Sequence, residues 1–100
     1  MKDRLAVQTM SITYSRQQII DVLCTLEELV VSLDRLGSAT NELTSEQLNA
    51  ETFRFLDEHD VFRKCARARR ILSEAFDDQA GSIGQEELGG ALQNVRPWKC

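Results

Sequence analysis

The 100-residue sequence predicts an all-α fold: a small antiparallel three- or four-helix bundle, with a short N-terminal strand or arm. Three observations carry that expectation. Apolar residues recur at alternating steps of three and four between Ile19 and Leu36. Ser15, Thr44 and Ser82 each stand three positions before a Gln, the arrangement of a capping box. Only Pro97 would break a helix by its ring, and it lies near the end of the sequence.

Residues 5–14 mix β-branched and polar side chains without a helical period, so the segment 1–14 reads as an arm or a short strand. A strand there needs a partner for its backbone groups, and nothing else in the chain has the pattern of one. Ser15 then caps the strongest element. Ile19, Val22, Leu26, Leu29, Leu33 and Leu36 lie on one stripe, and Leu23, Val30 and Val31 widen it. Gly37 is the expected stop. Thr44 opens a second helix whose inner face is Leu48, Thr52, Phe55 and Leu56. A break near 57–60, with Asp60 capping a third helix from Val61, is favoured over one helix across 45–77. Gly81 closes that helix, and Ser82 caps a last one carrying Ile83, Leu88, Ala91, Leu92 and Val95. Residues 15–96 thus form the helical domain, and 97–100 a tail with the only Trp, Trp98.

Composition narrows the function classes. Hydrophobic residues make up 42% of the chain, enough to fold, but 100 residues bury only a modest core. A formal charge of −4 gives no general attraction to nucleic acid or anionic lipid. No apolar run approaches the roughly 20 residues of a membrane span, and no secretory signal is evident, so a cytoplasmic location without membrane is expected. The cysteines, Cys24, Cys65 and Cys100, are odd in number and widely spaced, which fits no disulfide framework. Cys24 and Cys65 are expected as small buried side chains.

The stretch RKCARARR at 63–70 places five positive charges in eight residues of an acidic chain. Arg63, Lys64, Arg67 and Arg70 share one helical face, which could follow phosphates as a nucleic-acid-binding surface. Flanking Asp60 and Glu74 favour a salt-bridged solvent face, or a surface that docks an acidic protein, and interleaved aromatics are missing. A helix-turn-helix reading of residues 75–92 fails on Glu86 and Glu87, where a DNA-reading helix needs the opposite charge.

The same stretch resembles the second half of an EF-hand calcium loop at Gly81, Ile83, Glu87 and Leu88. Phe76 and Ala80 stand where that pattern needs oxygen ligands, so calcium is not expected. His59, the only histidine, has acidic neighbours but no nucleophile, and is expected at a helix boundary in contact with Asp60 or Arg63. No phosphate loop, HExxH or paired CxxC occurs. No enzyme activity, cofactor or metal is expected.

The expected function is a non-catalytic protein–protein interaction module: a small regulator, adaptor or chaperone. Its partners are a second copy in a homodimer, another protein, or both. Leu26, Leu29, Val30, Leu33 and Trp98 are the apolar contacts, and Arg63, Arg67 and Arg70 the polar ones. The alternative is a nucleic-acid-binding transcriptional regulator using Arg63, Lys64, Arg67 and Arg70.

Overall fold

A computed structural model describes residues 11–98. Most of the expected strand or arm at 5–14 lies outside the described residues, and its last part, 11–14, has no regular secondary structure. The described residues are all-helical, with no strand among them. Three helices follow in order: α1 (Arg16–Ser38), α2 (Ser45–Glu58) and α3 (Val61–Gln93), with a 3-10 turn at Ala39–Asn41 after α1. They divide into two compact units, one of residues 15–71 and one of 11–14 with 72–98.

In the unit 15–71, both helix starts are built by reciprocal capping. Ser15 is extended (φ −70°, ψ 158°), and its Oγ accepts from the Gln18 N–H at 3.1 Å. Gln18 Oε1 accepts in turn from the Ser15 N–H at 2.7 Å. Thr44 and Gln47 repeat this at α2, at 3.1 and 2.9 Å. Each box satisfies two backbone donors that a bare helix start leaves open.

The end of α1 differs from the expectation. Gly37 does not enter the left-handed region, and α1 runs on through Ser38. The chain tightens into the 3-10 turn instead. The Thr40 hydroxyl donates to the Gly37 carbonyl at 3.0 Å, so the last carbonyls find partners without a left-handed glycine.

The break between α2 and α3 falls at His59–Asp60. Asp60 adopts φ 50°, a left-handed conformation that Asp tolerates better than most side chains. It is therefore not an extended cap. Its carbonyl accepts from the Lys64 N–H at 3.1 Å, and its carboxylate meets Arg63 Nε at 3.3 Å. Arg54 of α2 bridges Glu51 and Glu58, at 2.9 and 3.5 Å.

In the other unit, Thr13 and Tyr14 are tied to α3. The Thr13 N–H donates to Gln79 Oε1, and Gln79 Nε2 donates to the Thr13 carbonyl, both at 2.6 Å. One side-chain amide thus takes the part of a neighbouring strand. The Tyr14 hydroxyl donates to the Leu72 carbonyl at 2.9 Å. Further on, the helical path is interrupted at Gly81, where the sequence places the end of one helix and the start of the next. Two helical segments of α3 meet there across a kink, with Gly81 at φ 68° and ψ −159°, and the second runs to Gln93. Only glycine occupies that region readily. The stretch that resembles a calcium loop is therefore helical on both sides of a single bent residue.

Candidate protein-binding face

α1 has two apolar faces with different surroundings. At about 100° per residue, Val22, Leu29 and Leu36 fall on one line, bordered by Asp21, Thr25, Glu28 and Ser32. This is the inner face. Val22, at 6% exposure, is the only buried apolar side chain among the described residues. Leu29, with Thr25 and Glu28, lines a narrow gap against Val61, Lys64 and Cys65 of α3. Leu36 and Ser32 line a groove with Glu51, Phe55 and His59.

Charges fasten this inner face. Lys64 Nζ reaches Glu28 Oε1 and Oε2 at 2.9 and 3.1 Å, and His59 Nδ1 lies 2.6 Å from Oε1. Arg67 approaches Asp21 at 3.6 Å. The His59 ring also tilts onto Phe55, with centroids 5.5 Å apart. The contact expected of His59 with Asp60 or Arg63 is thus corrected to Glu28, a residue of another helix.

The hydrogen bond from Lys64, then that from His59, holds the Glu28 carboxyl below its ordinary value of 4.5. Desolvation acts the other way, and the charges of Lys64 and His59 add to the lowering. A depressed carboxylate pKa means stability that is present above the unfolded pKa and is lost as pH falls through the folded one. Glu28→Gln is therefore expected to destabilise the chain at neutral pH. Urea denaturation should show that difference shrinking as pH drops below 4.5. A difference constant down to strongly acid pH would contradict this role.

The outer face of α1 carries Ile19, Leu23, Leu26, Val30 and Leu33. Their spacing alternates four and three, an unbroken a/d seam over two heptads. All five are exposed, between 39% at Ile19 and 63% at Val30. Single exposed apolar residues are ordinary, whereas a contiguous row on one helix is the kind of patch that interaction surfaces present.

The expected binding residues are accordingly separated. Leu26, Val30 and Leu33 lie on this outer seam, whereas Leu29 faces the inner gap. Arg63 and Arg67 pair with Asp60 and Asp21, and Arg70 is exposed on α3. Trp98 is 91% exposed in the other unit. Cys65 is half-buried, but Cys24 is exposed, contrary to expectation, because it lies far around α1 from Val22. Ile19 and Leu23 were the seam members not singled out as contacts. Their signal was the seven-residue repeat with Leu26, Val30 and Leu33.

Among the described residues, no cluster of His, Cys, Asp and Glu is placed to hold a metal ion, and no helix is long and apolar enough to cross a membrane. No protein-family model, curated protein or solved structure matches the chain.

Proposed function

We propose that this chain is a non-catalytic protein-interaction module, a small regulator, adaptor or chaperone, that binds through the outer face of α1. One observation carries the reading. The inner face of α1 is occupied by its own unit, while the equally apolar outer seam is left in solvent. Binding there removes apolar area from water at about 25 cal/mol per Å² before the costs of association. The bundle expected from the sequence is, on this reading, completed by the partner's helix. The basic block fits this better than it fits nucleic-acid binding. Lys64 and Arg67 already neutralise Glu28 and Asp21 of α1, so a phosphate would have to compete with them.

A photo-crosslinking residue tests the proposal when placed at Leu26, with exposed Glu46 of α2 as the control position. In cells producing the full chain, position 26 is expected to yield a few discrete polypeptide adducts that position 46 does not. No adduct at 26, or the same pattern at both positions, would overturn the reading.

A further inference from the structure

We infer that the occupant of the outer face of α1 is the same face of a second copy, lying antiparallel about a two-fold axis. The inference rests on the interaction reading above and names its partner. Area, register and charge each contribute.

The exposed seam with neighbouring Ile20, itself 51% exposed, offers on the order of 600 Å² per copy. Two such faces together reach about 1,200 Å², the lower end of stable protein interfaces. With Val22 the only buried apolar side chain among the described residues, their core is small, and a second helix layer enlarges it.

An antiparallel seam places a positions against d positions. One register sets Ile19 against Val30 of the second copy and Leu23 against Leu26 of the second copy, and the two-fold axis repeats both pairs. In that register Arg16 stands level with Leu33 of the second copy, one residue, about 1.5 Å of helix rise, from Asp34 of the second copy, at both ends of the pair. Arg16 and Asp34 are exposed beside the seam, and neither has an ion-pair partner among the described residues. Glu27, the remaining acidic residue on that border, falls opposite Ile20 of the second copy, so no like charges meet.

The helix dipole gives an independent reason. Arg16 opens α1 with no acidic residue in the first turn to offset it, at the end where a cation is unfavourable. An antiparallel neighbour brings an aspartate to that end. Within one copy Arg16 and Asp34 are about 27 Å apart along the helix, too far to compensate each other.

The test is light scattering after size exclusion of the full chain, in reductant, over a concentration series. The wild type is expected to approach twice 11.3 kDa at tens of micromolar and to dissociate on dilution. Arg16→Glu and Asp34→Arg are each expected to weaken the dimer about three- to tenfold, from surface pairs broken twice by symmetry. Carrying both changes in one chain should restore the wild-type constant within about twofold, since only an antiparallel pair returns opposite charges to contact. These substitutions are on the surface and leave Val22 untouched, so folding is preserved. A monomer at every concentration overturns the inference, as does a double variant that adds the two losses. A monomer whose position 26 still crosslinks to a different polypeptide overturns the second copy and leaves the interaction module standing. A monomer without crosslinks overturns both.

Discussion

Val22→Asp and Val30→Asp, two turns apart on α1, are expected to have opposite consequences. Val22 lies on the inner face at 6% exposure, and a carboxylate there has no hydrogen-bond partner to replace water. The unit 15–71 should lose about 3 kcal/mol or more, a large share of the stability of a small domain. Val30 is 63% exposed, and Asp has a similar helix propensity to Val, so the isolated chain should change by no more than about 0.5 kcal/mol. In the pair, however, the same carboxylate is desolvated inside the seam. Self-association should weaken about a hundredfold or more, equivalent to roughly 3 kcal/mol. Circular dichroism and urea denaturation at high dilution measure the first effect, and light scattering the second. If both variants melt alike, the two faces of α1 do not have separate roles.

The second large effect concerns glycines of α3. A Cβ added at buried Gly84 meets Ala80 Cβ and comes within 3.2 Å of Phe76 Cε1, because the kink folds these residues together. Gly84→Ala is expected to cost about 1–3 kcal/mol through overpacking. Gly81→Ala is expected to cost a similar amount, about 1–3 kcal/mol, for a different reason. Its φ of 68° is strained for any L side chain, although the space around it is open. Gly90→Ala serves as the contrast. It is helical with nothing near the added carbon, and should stabilise by up to about 1 kcal/mol. Chemical denaturation of the three variants separates crowding and strain from plain helix propensity. A stabilised Gly81→Ala would mean that the chain does not need the kink.

Features written within a few residues were the legible ones. The capping boxes at Ser15 and Thr44 are visible because both partners of each hydrogen bond lie three residues apart. The break at 59–60 was legible as a place but not as a conformation, since Asp serves as an extended cap and as a left-handed link equally well. Gly81 is legible as the place where one helical segment ends, and the structure has a kink between two segments there.

The proposed binding face is half legible in the sequence. Periodicity placed Ile19, Val22, Leu26, Leu29, Leu33 and Leu36 on one broad stripe, but it does not say which neighbour covers which edge. The structure divides that stripe, leaving Val22, Leu29 and Leu36 on the inner side, buried or half-buried, and Ile19, Leu26 and Leu33 in solvent, where Leu23 and Val30 join them. The clasp of Lys64 and His59 on Glu28, and the Gln79 amide on Thr13, connect residues 31 to 66 positions apart. No local pattern encodes such pairs. The basic block illustrates the consequence: spacing points to Asp60 and Glu74, and the fold adds Glu28 and Asp21.

Hydroxyl-radical footprinting of the full chain across a concentration series tests the two-faced helix most directly. Side-chain oxidation at Leu23, Leu26, Val30 and Leu33 should be high at submicromolar protein and fall as concentration rises. Leu29 and Leu36, on the inner face, should keep the same lower rate throughout. Oxidation of the outer residues that is independent of concentration, or inner and outer residues protected together, would contradict the assignment of the outer face of α1 to a second copy.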